Sequence, residues 1–247
     1  MILMFGDVHA KFTHILPLVK SKMPAAIILL GDIQAQRPLE IELAEVMKHT
    51  EVYFIHGNHD TDSQSDHDNL FESAIADRNL HGRIVEIDGH KVAGFGGIFR
   101  GKIWWPDPIQ NDPVFMAYED LKRHLNTEFV YHKISNAKVA GELRTHKSSI
   151  FYEDYIGLFD QNADILVSHE APSCHPHGFE AIDQLAQSMK VKRLFHGHHH
   201  DRLDYMFHDD RLGFCAHGVG LRGVTDINGA MIKAGELDEK RMGRGKR

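Results

Sequence analysis

The chain has 247 residues, of which 42% are hydrophobic and 26% charged, and its formal net charge is −7. These values are ordinary for a globular protein of one or two domains with a hydrophobic core, and the acidic balance argues against a general nucleic-acid coat, which needs a basic surface. The only cysteines, Cys174 and Cys215, cannot build a disulfide framework and are expected to be reduced thiols.

The first sixty residues alternate apolar strands with helices. Residues 1–5, 26–30 and 51–55 are predicted strands, and residues 12–19 and 39–47 carry apolar side chains at helical spacing. Continuous apolar strands separated by helices indicate parallel pairing in a sheet that is covered on both faces. Residues 1–5 are too short for a leader peptide, and no run approaches the ~20 apolar residues needed to cross a bilayer, so we expect a cytoplasmic protein with no membrane partner.

The rest of the chain is less regular. A hairpin is predicted from residues 83–87 and 90–95, which flank Asp88-Gly89. Residues at about 100–150 are interpreted as an irregular insertion, for which a helical excursion is favoured over a lid or partner surface. Strands are predicted at 164–168 and 192–195, a helix at 179–189, an antiparallel finish near 203–207 and 212–217, and a disordered basic tail at about 237–247. We expect one domain over residues 1–247.

Short clusters of metal ligands follow the predicted strands. They are Asp7-Val8-His9, Gly31-Asp32, Gly57-Asn58-His59-Asp60, Ser168-His169 and Gly197-His198-His199-His200. Four of the five directly follow an apolar run, so one sheet edge could gather them into a single pocket. Carboxylate and imidazole ligands suit divalent metals of intermediate hardness. The first two clusters are weak signals alone, whereas three consecutive imidazoles are rarely needed in a solvated loop.

Taken together, the clusters resemble those of the calcineurin-like metallophosphoesterases, over residues 1–60 and about 164–217. The resemblance implies an α/β fold in which two mixed β-sheets pack as a sandwich flanked by helices, in four αββα layers. It implies two divalent metal ions (Mn, Fe or Zn, with Mn expected to serve in vitro) and attack on phosphorus by a hydroxide between them. The implied ligands are Asp7, His9 and His200 for one ion, Asn58, His169 and His198 for the other, and Asp32 as a bridge.

The resemblance also implies a catalytic pair outside the metal ligands. His59 would stabilise the transition state or protonate the leaving oxygen, and Asp60 would orient its ring. His199 lies between two ligands in sequence and is expected to face solvent or the rim of the substrate site.

Departures from the family's subgroups narrow the substrate. The protein phosphatases carry Gly-Asp-x-x-Asp-Arg-Gly at the second cluster, whereas this chain has no Arg there and Arg37 comes one residue late. We therefore favour a phosphodiesterase or nucleotide phosphoesterase, acting on a small phosphoester or nucleotide, over a protein phosphatase. A nuclease of the same superfamily is an alternative, although this short acidic chain does not favour nucleic acid. A protein-interaction scaffold with Trp104-Trp105 as its contact surface is another. The sequence leaves the oligomeric state open.

Overall fold

The computed structural model describes residues 1–106, 112–132 and 135–238. Its strands are β1 (Ile2–Phe5), β2 (Ala26–Leu30), β3 (Glu51–Ile55), β4 (Arg83–Ile87), β5 (His90–Phe95), β6 (Ile165–Ser168), β7 (Arg193–His196), β8 (Cys215–Gly218), β9 (Val224–Asp226) and β10 (Met231–Lys233). They form two five-stranded sheets, in the orders β10-β9-β1-β2-β3 (sheet 1) and β4-β5-β6-β7-β8 (sheet 2).

Both sheets are mixed. In sheet 1, β1, β2 and β3 pair in parallel, as their continuous apolar sequences predict, while β9 runs antiparallel to β1. In sheet 2, β4 and β5 form the predicted hairpin around Asp88-Gly89, and β5 to β8 are parallel. The parallel strands of each sheet therefore end at a common edge, where the loops that follow them can meet.

The helices cover the outer faces of the two sheets. They are α1 (Ile15–Lys22), α2 (Leu39–Glu42), α3 (Ala44–Met47), α4 (Gln64–Phe71), α5 (Tyr118–His132), α6 (Asn136–Thr145), α7 (Tyr152–Leu158), α8 (Glu180–Ser188) and α9 (Asp209–Leu212). The 3-10 helices are Asn58–Thr61, Ala76–Arg78, His146–Ser148 and Met206–His208. No helix in the described ranges combines the length and the apolar character that crossing a membrane requires.

Alternating side chains of each strand enter different cores. Ile2 and Met4 of β1 pack between the sheets, against Val167 of β6 and Phe195 of β7. Leu3 and its neighbours on the other face pack beneath α1 to α4. A third core lies between sheet 2 and the helices α5, α7 and α8. This arrangement confirms the predicted αββα sandwich, because each sheet buries both of its faces.

The chain end differs from the sequence prediction. The strand at 212–217 was predicted to be antiparallel, but β8 pairs in parallel with β7. Residues 203–207 form no strand: 203–205 have no regular structure, and the 3-10 helix Met206–His208 follows them. The antiparallel finish comes later, in β9 and β10 of sheet 1. The predicted basic tail lies outside the described residues from position 239 onward.

The insertion at about 100–150 contains two helices, α5 and α6, although residues 107–111 and 133–134 lie outside the described ranges. The side chains of Leu121 and Leu125, one helical turn apart, are buried beside Trp104 in the outer core of sheet 2. Trp104 is only 1% exposed, which corrects the idea of a Trp104-Trp105 contact surface. The half-exposed ring of Trp105 packs against that of Phe179, with 5.1 Å between ring centroids.

Candidate metal centre

The predicted ligands lie where strands end and the backbone leaves extended geometry. His9, Asp32, His198 and His200 all have positive φ angles, of 41°, 46°, 69° and 60°. Such left-handed residues are uncommon outside glycine and carry strain, and they cluster at functional sites because the surrounding structure holds them. At these positions the change of backbone direction brings side chains from several loops close to one another.

A first group of ligand atoms comes from Asp7, His9, Asp32 and His200, and all of these atoms lie within 4.8 Å of one another. The Nε2 atoms of His9 and His200 are 2.9 Å apart. His9 Nε2 lies 3.8 Å from an Asp32 carboxylate oxygen. This geometry gives one ion two carboxylates and two imidazoles.

A second group comes from Asp32, His169 and His198, again within 4.8 Å. His169 Nε2 lies 3.4 Å from Asp32 Oδ1 and 3.3 Å from the side-chain oxygen of Asn58. The structure therefore brings all seven predicted ligands together. Asp32 belongs to both groups, as a bridging carboxylate would.

The charges around these groups fit divalent cations. The side chains of Asp7 and Asp32 are almost wholly buried. Among the described residues, no Lys or Arg nitrogen lies within 4.0 Å of either carboxylate, and their ion pairs are all with histidines. Buried carboxylates need positive charge nearby, and a bound cation is the group that would supply it.

The pKa values show the same demand for positive charge. Burial raises the pKa of Asp7 from 3.8 to about 7. Burial alone would lower the pKa of His169, but the negative charges of Asp32 and Asp7 raise it to about 10. In contrast, burial lowers the pKa of His198 to about 3, so its imidazole is neutral, as metal binding requires.

Two glycines allow the loops to approach this closely. A Cβ atom on Gly31, whose φ is +97°, would lie 2.3 Å from His169 Nδ1. A Cβ atom on Gly57 would lie 2.3 Å from Asp32 Oδ1. The Gly31-Asp32 and Gly57-Asn58 dipeptides therefore serve the packing of the ligands themselves as well as the end of a strand.

The structure corrects the role predicted for Asp60. Its buried carboxylate accepts hydrogen bonds from the backbone amides of Ile33, Gln34 and Gly57, at 2.7, 2.7 and 2.8 Å, and so ties two ligand loops together. The ring of His59 is held by a different carboxylate, that of Asp62, 2.6 Å from His59 Nδ1. In the 3-10 helix that begins at Asn58, a residue three positions along faces His59, whereas its immediate neighbour does not.

His199, which is expected to face solvent or the rim of the substrate site, has a half-buried ring that stacks on that of His175, with 3.8 Å between centroids. Glu170, which follows β6, lies beside His199. Its carboxyl group is buried, and this burial raises its pKa to about 7. Glu170, His198 and His199 form a further group that could hold a metal ion, beside the second group described above.

Other residues that shape the site were not found from the sequence. Gln34 Oε1 lies 2.7 Å from His9 Nδ1 and fixes that ring, and the carbonyl oxygen of Leu30 does the same for His169 Nδ1 at 2.8 Å. A histidine that binds a metal through one ring nitrogen usually forms a hydrogen bond through the other. The polar side chain of Gln34, close in sequence to Asp32, was the available signal for such a partner.

Comparisons with known proteins agree on the fold and family. The sequence model of the calcineurin-like phosphoesterases matches residues 1–202. An uncharacterized protein of Haemophilus influenzae is 38% identical over 229 residues, covering 93% of this chain and 95% of the relative. The crystal structure of TT1561 of Thermus thermophilus has a TM-score of 0.54 at 13% identity, covers 95% of this chain and 97% of its own, and shows the fold alone. The crystal structure of a 5'-nucleotidase precursor from that organism has a TM-score of 0.39 at 14% identity, and the match covers 94% of this chain and 52% of its own.

Proposed function

This chain belongs to the calcineurin-like phosphoesterase family, and we propose that it hydrolyses small phosphodiesters or nucleotide phosphoesters with two divalent metal ions. The observation that carries this proposal is that two groups of ligand atoms share Asp32 and lie beside His59, a histidine that belongs to neither group. When bound there, two ions would acidify a water molecule and neutralise charge on the phosphoryl oxygens. Asp7, His9 and His200 would hold one ion, and Asn58, His169 and His198 the other.

The proposal assigns the proton for the leaving oxygen to His59. Its ring centroid lies 5.5 Å from that of His9, so it stands beside the first group of ligands. Partial burial lowers the pKa of His59, but the hydrogen bond to Asp62 and the charge of Asp32 outweigh it, and the pKa is raised above 6.5. Hydrolysis breaks the bond between phosphorus and the leaving oxygen, which then needs a proton. The protonated ring can donate it from Nε2 while Asp62 holds Nδ1.

The position of Arg37 favours a small phosphoester over a phosphoprotein as the substrate. Arg37, the arginine nearest in sequence to the second cluster, is exposed and pairs with Glu42 at 3.1 Å. It is therefore held outside the ligand groups and does not replace the arginine that protein phosphatases carry there. This supports a phosphodiesterase or nucleotide phosphoesterase, the activity that the motif order favours.

A substrate screen tests the proposal. Protein supplied with Mn would be assayed on an aryl phosphodiester, an aryl phosphomonoester, cyclic nucleotides, single-stranded DNA and a phosphoserine peptide, each with and without EDTA. We expect EDTA-sensitive hydrolysis, with the diester or a nucleotide turned over faster than the peptide. Faster turnover of DNA would move the assignment to a nuclease, and no turnover of any ester would refute the proposal.

A pair of histidine variants tests the role of His59. His59→Ala should keep the metal content of the parent and lower kcat by about 100-fold to 10,000-fold, the usual contribution of general acid–base catalysis. His49→Ala is the control, because it removes an exposed imidazole that belongs to none of the groups of possible metal ligands, and it should match the parent in metal content and kcat. Loss of metal from His59→Ala with unchanged turnover per remaining site would contradict the role.

A further inference from the structure

A short segment after β5, residues 98–100, has a backbone that is held by hydrogen bonds on both sides. The Ile98 amide donates to the Ser148 carbonyl oxygen at 3.0 Å, and the Ile150 amide donates to the Ile98 carbonyl oxygen at 3.0 Å. The next amide, that of Phe99, donates to the buried carboxylate of Glu170 at 3.0 Å. These bonds fix the backbone at Ile98 and Phe99, and therefore the backbone position from which the Arg100 side chain extends.

The guanidinium of Arg100 is anchored only through neutral oxygens. Its Nη1 donates to Ser149 Oγ at 2.9 Å, to Ser148 Oγ at 3.2 Å and to the Thr145 carbonyl oxygen at 3.2 Å. Within the described ranges, no carboxylate lies within 4.0 Å of Arg100, and neither Nε nor Nη2 makes a hydrogen bond. An arginine keeps its charge at all ordinary pH values. Arg100 therefore presents a fixed, half-buried positive charge and unused donors.

The segment that carries Arg100 is joined to the candidate ligands, because the Phe99 amide donates to Glu170, which forms a group of possible metal ligands with His198 and His199. Burial lowers the pKa of Arg100, and the negative charges of Asp62, Glu170 and Asp32 oppose this shift. Asp62 holds the ring of His59, Glu170 follows His169 in sequence, and Asp32 is shared by both ligand groups. The anchor is also tied to a ligand loop, because Ser148 Oγ lies 2.7 Å from Thr61 Oγ1 in the 3-10 helix that begins at Asn58.

We propose that Arg100 binds the non-bridging phosphoryl oxygens of the substrate beside the metal ions, which gives the insertion a role in building the site. The inference rests on the proposed function, since it takes a phosphoryl group as the ligand. A guanidinium matches two oxygens of one phosphate with two parallel donors. Ser148 and Ser149 would act as positioning residues that hold Nη1 and leave the other donors for the substrate.

The test measures phosphate binding and not turnover. Inorganic phosphate would be titrated calorimetrically into Mn-loaded protein, with metal content measured by mass spectrometry. Arg100→Gln can still donate to the serine oxygens but lacks the charge, and we expect it to weaken phosphate binding about tenfold to a hundredfold with unchanged metal content. Arg37→Gln is the matched control, because it removes the same charge from an exposed arginine that pairs with Glu42, and it should bind phosphate like the parent.

The outcomes separate this inference from the proposed function. Parent-like phosphate binding by Arg100→Gln, equal weakening in Arg37→Gln, or a parent that binds no phosphate would overturn the role of Arg100. Should Arg100→Gln fail to fold, Arg100→Lys decides, since a point charge cannot replace the two parallel donors: a severalfold weakening supports the role, and parent-like binding overturns it. Phosphate binding that depends on Arg100 in a protein that hydrolyses no ester would uphold this inference and refute the proposed activity.

Discussion

The two sheets contribute different kinds of ligand to the same site. To the two ligand groups that share Asp32, the loops of sheet 1 bring the oxygen ligands Asp7, Asp32 and Asn58 together with a single imidazole, whereas those of sheet 2 bring imidazoles only. Neither of the two ligand groups that share Asp32 lies within one sheet: the first needs His200 from sheet 2, and the second needs Asp32 from sheet 1. The centre therefore forms only when the two sheets pack on each other.

Hydrogen bonds across the sandwich join these two sets of loops. The Leu30 carbonyl oxygen at the end of β2 lies 2.8 Å from His169 Nδ1, after β6. The His198 amide, after β7, donates to the Asp7 carboxylate at 3.0 Å. The carboxylates of Asp32 and Asp7, from sheet 1, also raise the pKa of His169, from sheet 2. Changes on either side of this contact should therefore affect metal binding and stability together.

The largest effect is expected from Asp32→Ala, which removes the carboxylate that both ligand groups share. We expect loss of both ions and a fall in kcat of at least about 1,000-fold, because metal stabilisation of a transition state contributes several kcal/mol. Metal content by mass spectrometry and steady-state kinetics would measure it. Asp77→Ala makes the same change at an exposed position and should match the parent. An Asp32→Ala protein that retains two ions would show that the two sheets do not share a bridging ligand.

Gly31→Ala should strain the contact between the sheets directly. The added Cβ would meet His169 Nδ1 at 2.3 Å, and φ of +97° suits only glycine. We expect a loss of about 3 kcal/mol in the free energy of unfolding, from overpacking and backbone strain together, and weaker metal binding. Gly89→Ala is the control: its φ is +77° but nothing lies within 4 Å of the added atom, so it should lose only about 1 kcal/mol. Equal losses in the two variants would show that the collision is relieved without cost.

The positions of the ligands that the family resemblance implies could be anticipated, because four of the five clusters directly follow an apolar run that is easy to identify as a strand. The position of Asp32 after Ala26–Leu30 already places it at the edge where His169 arrives. Contacts that depend on the direction of a side chain within a turn could not be predicted from the sequence. For this reason the sequence indicates Asp60 as the partner of His59, whereas the partner is Asp62. The position of Arg100 depends on the β-bridge between residues 98 and 149, and no periodicity in either segment indicates that contact.

Without bound metal, stability should depend on pH through His169 of sheet 2, which the carboxylates of sheet 1 keep protonated. The pKa of His169 is about 10 in the folded protein and 6.5 ordinarily, so the folded state binds more protons between these values. The stabilisation is complete below pH 6.5 and is lost as pH rises towards 10. In EDTA-treated protein, we expect the free energy of unfolding to fall by about 2 kcal/mol between pH 7 and pH 9. Chemical denaturation of EDTA-treated His169→Gln should show a clearly smaller change, and an equal slope would remove His169 as the cause.

The smallest effect is expected from Gln34→Ala, because it changes the orientation of a ligand and leaves every ligand in place. The imidazole that sheet 1 contributes, His9, is fixed by a side chain, with Gln34 Oε1 2.7 Å from its Nδ1. His169 is instead fixed by a backbone carbonyl that no substitution removes. We expect Gln34→Ala to weaken the binding of one ion about tenfold in a competition titration with a chelator, and to leave the other ion unchanged. Gln184→Ala makes the same change at an exposed position of α8 and should leave both affinities intact. Equal weakening of the two ions by Gln34→Ala would mean that His9 is coupled to both ligand groups through Asp32, and that the two sheets act as one unit.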